Sequence, residues 1–244
     1  MKSLNETIYI FDVDGTLTEP RKKVTKKFEQ QFLKWVKGKR AIIATGSDFV
    51  KTKEQLTSPM IESFEMIFCC MGNELRDSSG NIVYKNSYTP PTNLVSDLER
   101  LAHKSKYKTK TGNHIEIRTG MINFSTVGRN ANHQQRMEYN KWDKIHNERH
   151  KLVNLLKKKH SNLTFSVGGS ISIDIIPEGK DKGQCIDYIL ENLNPHKVKF
   201  YGDRTGPGGN DYGIVKKLEY SNIPEYSWSQ VEGPNQLLTS LLDV

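Results

Sequence analysis

Two aspartates stand two residues apart behind an apolar run, in Ile8-Tyr-Ile-Phe-Asp12-Val-Asp14-Gly15-Thr16-Leu-Thr18. Open α/β sheets place their active sites at the carboxyl ends of such strands. A carboxylate there can act as a nucleophile, exchange a proton or hold a cation. Taken alone, Asp-x-Asp-Gly also fits a calcium loop or an ordinary turn; the strand before it and Thr-Leu-Thr after it favour chemistry. Ala41-Ile-Ile-Ala-Thr45-Gly46-Ser47-Asp48 ends another short strand with hydroxyls able to hold phosphate oxygens at a helix N-terminus. Thr-Gly-Ser is equally a plain helix cap. Lys182, in Gly179-Lys-Asp-Lys182-Gly-Gln, reads by composition as a surface lysine. A glycine-rich acidic loop, Tyr201-Gly202-Asp203-Arg-Thr-Gly-Pro-Gly208-Gly209-Asn210-Asp211, follows a further strand.

The elements that must position these residues alternate. Thr7–Phe11, Ala41–Ala44, Glu65–Cys70 and Val198–Tyr201 are short β-branched or aromatic runs. Helical spacing appears at Thr25–Lys37, with Thr25 as its cap, and helices are expected from Ser47 or Asp48 and from about Lys182. Short apolar strands separated by helices predict a parallel sheet with both faces covered. The middle of the chain differs. After Pro90-Pro91 come a helix at Leu94–His103, alternating runs at His114–Arg118 and Met121–Ser125, and a long charged helix over roughly Gln134–Lys159. Two more alternating runs, Leu163–Val167 and Ile171–Ile176, are joined by Gly168-Gly169-Ser170, a hairpin signal. Along Ile171–Ile176 the isoleucines at 171, 173 and 175 face one way and Ser172 and Asp174 the other; Glu116 and Arg118 likewise share a face.

The chain has 244 residues and a formal net charge of +8. Residues 83–181 hold 17 Lys and Arg against 9 Asp and Glu, so they carry the whole excess and the flanking parts are neutral. Basic runs such as Lys104–Lys110 and Lys157–Lys159 carry no aromatic-basic signature and read as solvated faces, which argues against a nucleic-acid partner. The longest apolar run, Met66–Met71, is far short of the roughly 18–20 residues a bilayer span needs, so no membrane partner is expected. The N-terminus carries no secretory signal pattern. Cys69, Cys70 and Cys185 fit neither a disulfide framework nor a zinc site and suit a reducing compartment; the expected location is cytoplasmic.

In order and context, the four polar segments resemble the motifs of the haloacid dehalogenase-like (HAD) phosphotransferases. That resemblance implies a HAD-like Rossmannoid α/β core with a parallel sheet, formed by residues 1–82 and 182–244. Residues 83–181 would be an inserted α+β cap with an antiparallel sheet that sets specificity. It makes Asp12 the nucleophile, Asp14 the general acid/base and Lys182 the third-motif lysine, with Thr45 and Ser47 binding phosphate. Asp203 and Asp211 would complete an oxygen-only Mg²⁺ site with Asp12 and the backbone carbonyl of Asp14. The physics agrees, since a carboxylate attacking a phosphate dianion needs positive charge nearby.

Further segments are similar to eukaryotic-type phosphomannomutases, which are sugar-phosphate mutases of that superfamily. In the cap these are Ile115-Glu-Ile-Arg118-Thr-Gly-Met121-Ile-Asn123, Val127-Gly-Arg129, Gln134-Gln-Arg136-Met-Glu and Phe165-Ser-Val-Gly168-Gly169-Ser-Ile-Ser172-Ile-Asp174. The core adds Thr18-Glu-Pro-Arg21, Gly46-Ser-Asp48-Phe-Val-Lys51 and Glu54-Gln-Leu56. On this resemblance Arg21, Arg118, Arg129 and Arg136 clamp the phosphate distal to the reacting one, a task suited to planar bidentate donors. Ser172 and Asp174 would meet sugar hydroxyls. The implied activity interconverts mannose 6-phosphate and mannose 1-phosphate through an aspartyl-phosphate, with hexose 1,6-bisphosphate as intermediate and activator. The expected partners are a small phosphorylated sugar and a second copy, in a homodimer through the cap. The competing reading is a sugar-phosphate phosphatase with the same core residues.

Three places depart from the family pattern. Cys70-Met71-Gly72 stands where the family has Glu-Asn-Gly, and Thr45 where the mutases have Gly. Lys217 replaces an acidic residue associated with a second cation. The nucleophile, acid/base, lysine and arginines are all retained.

Overall fold

The computed structural model describes residues 7–242. The chain divides into two compact units, one running to Asn86 and resuming at Lys180, the other spanning Ser87–Gly179. In chain order the first unit begins with β1 (Thr7–Phe11), α1 (Lys26–Trp35), β2 (Arg40–Ala44), α2 (Phe49–Gln55), α3 (Ser58–Glu62), β3 (Met66–Cys69), β4 (Glu74–Asp77) and β5 (Ile82–Lys85). The second unit holds α4 (Thr92–Lys104), β6 (Ile115–Arg118), β7 (Met121–Phe124), α5 (His133–His146), α6 (Glu148–Lys159), β8 (Leu163–Gly168) and β9 (Ser172–Pro177). The first unit is completed by α7 (Gln184–Leu193), β10 (Lys197–Gly202), α8 (Tyr212–Glu219), β11 (Glu225–Gln230) and α9 (Pro234–Leu242). No helix among the described residues is long and apolar enough to cross a membrane.

The first unit is the expected α/β core. Its seven-stranded sheet has the order β11-β10-β1-β2-β3-β4-β5, parallel from β11 to β3 and antiparallel from β3 to β5. Strand alternation gives β1 two buried faces. Ile8 and Ile10 join Ile42, Phe68, Val198 and Phe200 in packing on Ile186, Ile189, Ile214 and Leu218 of α7 and α8. On the opposite side Phe11 meets Phe32 edge-on at 5.5 Å and Phe64 at 6.2 Å. Truncating a fully buried aromatic such as Phe32 to Ala costs about 3–5 kcal/mol. That packing holds the carboxyl ends of β1, β2 and β10 side by side.

The hairpin of β4 and β5 extends this sheet, so residues 83–86 belong to the core and the second unit begins at Ser87 rather than at 83; it ends at Gly179 rather than at 181. Asp77 turns the hairpin by accepting the backbone N–H groups of Ser79 and Asn81.

The second unit is an antiparallel sheet of order β6-β7-β9-β8. One face is apolar: Ile122, Phe124, Phe165, Val167, Ile173 and Ile175 pack on Leu94 and Leu98 of α4 and on Val153 and Leu156 of α6. The expected single helix over Gln134–Lys159 is instead two, broken at Asn147, whose φ is +56°. Asparagine tolerates the left-handed region, and the backbone N–H of Asn147 still caps α5 through the Asp143 carbonyl.

Candidate active site in the core and polar face of the second unit

Asp12 follows the last residue of β1 and is 2% exposed. Lys182, two residues before α7, is fully buried, and its ammonium donates to Asp12 Oδ1 at 2.5 Å and to Asp211 Oδ1 at 2.6 Å. Asp211 opens α8 and is also held by the backbone N–H of Arg204 at 3.0 Å. Asp203, just past β10, completes the group. Asp12, Asp203 and Asp211 each offer a carboxylate oxygen, all within 4.8 Å of one another. An oxygen-only, strongly negative set of this kind fits a hard divalent cation such as Mg²⁺.

The electrostatics follow from crowding. Burial, reinforced by the charges of Asp211 and Asp203 and opposed by Lys182, raises the Asp12 carboxyl well above the usual carboxylate range. Burial and then the Asp211 charge push Asp203 up to about 6. For Lys182 burial works against the charge, but the carboxylates of Asp12 and Asp211 outweigh it and hold the ammonium above the ordinary lysine value. Asp12 and Asp211 share Lys182, and Arg204 Nε lies 3.6 Å from Asp203 Oδ2, so three carboxylates face two cations and the surplus is negative. Gly15 makes the crowding feasible: with φ +90°, a Cβ there would lie 2.6 Å from Asp203 Oδ2.

Asp14 sits in the turn after β1. The Ser47 hydroxyl donates to its Oδ2 at 3.2 Å, and the backbone N–H of Arg21 donates to its Oδ1 at 2.7 Å. Arg21 reaches this position with φ +61°, and its side chain is exposed. Thr45 turns its hydroxyl to accept the backbone N–H of Ser47 at 3.1 Å, so it shapes the loop that presents Ser47. That loop is braced from β3: the N–H groups of Cys70 and Met71 donate to the Ser47 and Thr45 carbonyls at 2.9 and 3.0 Å. Cys70 and Met71 hold φ values of +51° and +62°, unusual for residues bearing a Cβ. The departure Cys70-Met71-Gly72 thus supports the site from behind. Lys217 pairs with Asp187 at 2.8 Å across α8 and α7.

In the second unit the expected residues occupy the polar face of the sheet. Glu116 gathers two arginines: Arg118 Nη2 donates to its Oε2 at 2.9 Å and Arg129 Nε at 2.8 Å. Arg129 Nη1 reaches the Ser172 hydroxyl at 2.6 Å. Arg136 donates to the carbonyls of Ala131 and Arg129 at 2.7 and 2.8 Å, fixing the segment that carries Arg129. Asp174 accepts from the Asn123 amide at 2.5 Å. Gly168 leaves room for that carboxylate, because a Cβ there would stand 2.2 Å from Asp174 Oδ2.

Cross-strand register aligns Glu116, Asn123, Asp174 and Ser166 in one row over β6, β7, β9 and β8. Sequence reading missed Glu116, Asn123 and Ser166 as site residues. Strand alternation already put Glu116 beside Arg118, whereas Asn123 and Ser166 needed the register. Asn123 Oδ1 and Ser166 Oγ are buried and have no hydrogen-bond partner, a condition that normally costs about 1–3 kcal/mol per group.

The family model described as eukaryotic phosphomannomutase matches residues 29–223. A phosphomannomutase of Dendrobium officinale is 38% identical over 228 residues, covering 86% of this chain and 84% of that protein. One of Triticum aestivum is 38% identical over 222 residues, covering 85% of each. Among solved structures, a haloacid dehalogenase-like hydrolase from Bacteroides thetaiotaomicron superposes with a TM-score of 0.57 at 14% identity, covering 98% of this chain and 99% of that one. The sucrose-phosphatase of Synechocystis, solved with sucrose and phosphate, gives 0.58 at 12% identity, with 98% of each chain covered. At such identities these structures speak for the fold alone. Carried by the sequence matches and built on a HAD-type core, the chain belongs to the eukaryotic phosphomannomutase family.

Proposed function

We propose that the protein is a Mg²⁺-dependent phosphomannomutase that interconverts mannose 6-phosphate and mannose 1-phosphate. The observation that carries this reading is the buried Asp12–Lys182–Asp211 group beside an Asp14 carboxylate gripped at both oxygens. A nucleophile and an acid/base are thereby separated by environment. Asp12 is desolvated and faces a lysine, while Asp14 is oriented by a hydroxyl and an amide.

Phospho-Asp12 gives its phosphoryl group to a hydroxyl of a hexose phosphate, and Asp14 takes that hydroxyl's proton. The resulting hexose 1,6-bisphosphate turns over. Asp12 then attacks the other phosphorus, and Asp14 returns the proton to the departing sugar oxygen. Free bisphosphate primes Asp12 and so acts as activator. Asp12, Asp203, Asp211 and the Asp14 carbonyl would hold the Mg²⁺, which when bound offsets charge on the phosphoryl oxygens. Lys182 offsets the charge of Asp12, and Ser47 and Thr45 form the loop that receives the phosphate.

Substrate selection belongs to the polar face of the second unit. Two guanidiniums already sit side by side on one carboxylate, an arrangement suited to a phosphate. The unpartnered Asn123 carbonyl and Ser166 hydroxyl beside Ser172 and Asp174 suit a polyol. Arg21 and Arg136 join the phosphate-binding set, and the active species is a homodimer formed through this unit.

Phosphorus NMR on mannose 1-phosphate with Mg²⁺ and a trace of hexose 1,6-bisphosphate tests the reading. Mannose 6-phosphate should accumulate without inorganic phosphate. Stoichiometric phosphate release would instead make the protein a sugar-phosphate phosphatase.

A further inference from the structure

Arg149 lies in α6, outside every motif that points to catalysis, and is 6% exposed. Its partners are unusual in number and direction. Its Nε donates to Asp143 Oδ2 at 2.7 Å, and its backbone N–H to Asp143 Oδ1 at 2.9 Å. Its Nη1 lies 3.2 Å from the Gly168 carbonyl, 3.0 Å from that of Gly169 and 3.4 Å from that of Ser172. Three carbonyls of one tight turn converge on a single nitrogen. Asn140 Oδ1 receives Nη2 at 3.4 Å, and the guanidinium lies 6.0 Å from the Tyr139 ring. Burying a guanidinium is costly, and an apolar residue could fill this place if packing were all that mattered.

The turn it holds carries the sugar-facing residues. Ser172 begins β9 with its carbonyl on Arg149 and its hydroxyl on Arg129, and Asp174 follows two residues later. Ile171, within the same turn, is buried with Val127 and Tyr139. The turn is thus pinned by an apolar contact and by one guanidinium.

We propose that Arg149 is a positioning residue for sugar recognition. It sets the β8–β9 turn so that the Ser172 hydroxyl and the Asp174 carboxylate stand at fixed places beside Arg129. The proposal rests on the sugar-phosphate reading above. A merely structural arginine would alter stability and the active fraction; a positioning one alters substrate affinity through Ser172.

Arg149→Lys separates the two, because lysine keeps the charge but has a single nitrogen, whereas the guanidinium bonds Asp143 through Nε and the turn carbonyls through Nη1 at once. In steady-state assays on mannose 1-phosphate with Mg²⁺ and bisphosphate, the variant should raise KM about tenfold and leave kcat within about twofold. In a cycle with Ser172→Ala, the double variant should raise KM no further than the larger single effect. Should Arg149→Lys fail to fold, Asp143→Asn loosens the same guanidinium and should raise KM about threefold, again without adding to Ser172→Ala. An unchanged KM with reduced kcat, or additive KM effects in whichever cycle folds, would overturn the assignment. A wild type that turns over no hexose phosphate would overturn the sugar-phosphate reading and this inference with it.

Discussion

The two units treat charge in opposite ways. In the core, three carboxylates crowd around Lys182 and Arg204, with Asp12, Asp211 and the lysine buried and Asp203 partly so, and two of the carboxylates are pushed out of their ordinary titration range. In the second unit the charges are already held: Glu116 pairs with Arg118 and Arg129 on the polar face, Asp143 pairs with Arg149 beside the β8–β9 turn, and Asp174 accepts from the Asn123 amide. An unbalanced negative cluster stores electrostatic cost that a cation relieves, which is how preorganised sites do chemistry. A balanced network stores geometry, which is how surfaces recognise shape and hydroxyl pattern. Damage to the core should therefore appear in kcat whatever the phosphate ester, and damage to the second unit in KM for the sugar.

The most drastic way to examine that division is Asp12→Asn. The amide cannot form an acyl phosphate, so kcat should fall on the order of 10⁴-fold or more for every phosphate ester tried. Phosphate trapped on the protein after incubation with bisphosphate, measured by mass spectrometry, should vanish. A retained phosphoryl adduct would place the nucleophile elsewhere.

Gly15→Ala should come next in size. Its Cβ would collide with Asp203 at a backbone angle that alanine resists, so the effect reaches the carboxylate cluster without replacing a titratable residue. Supporting residues of metal sites typically change affinity about 10–100-fold when altered. A Mg²⁺ titration should show the activation midpoint shifted upward by that order, with KM for the sugar nearly unchanged.

Gly168→Ala is the counterpart in the second unit. The added methyl would push Asp174 away from Asn123. Losing one hydrogen bond to a charged group is worth about 1.5–3 kcal/mol, or about tenfold and upward in KM. Here the Mg²⁺ titration should not move. If Gly168→Ala altered Mg²⁺ activation, or Gly15→Ala altered sugar KM alone, the separation of roles would fail.

How much of this could be read from the chain depends on distance in sequence. Asp12 and Asp14 announce themselves because strand, turn and carboxylates are contiguous. Asp203 and Asp211 do so because they share one glycine-rich motif at a strand end, whereas Lys182 reads by composition as a surface lysine and only the resemblance marks it. Asn123 is different: its meaning lies in Asp174 on the neighbouring strand, and nothing local marks it. Arg149 looked like one more charge in a long helix, and the break at Asn147 that turns it toward the β8–β9 turn was itself overlooked. Strand β11 was also missed, although Tyr226 and Trp228 alternate with serines there; every position of it is exposed. Local chemistry writes motifs; cross-strand chemistry writes only register.

The smallest expected effect concerns stability and pH. Asp203 titrates at about 6 in the folded protein without a cation, against about 3.9 for an unfolded aspartate. The folded state therefore binds the proton more tightly than the unfolded one. Between these values the native protein holds more protons, so stability falls as pH rises from about 4 to about 6 and then levels off. The raised Asp12 carboxyl acts in the same direction. Mg²⁺ binds the ionised carboxylates, so its stabilisation should grow over that window and be largest above it. Melting scans in EDTA and in Mg²⁺ at pH 5 and pH 7.5 should differ by a few degrees at the higher pH and by less at the lower, following about 4–8 °C per kcal/mol for small domains and less for larger ones. In Asp203→Asn the EDTA scans should lose part of the decline with pH. Hydrogen exchange localises the effect: Mg²⁺ should protect amides of β1 and β10 and leave those of β7 and β9 unchanged. Equal protection of both sheets would mean that the cation's charge balance is not confined to the core, and the contrast between an unbalanced and a balanced unit would have to be abandoned.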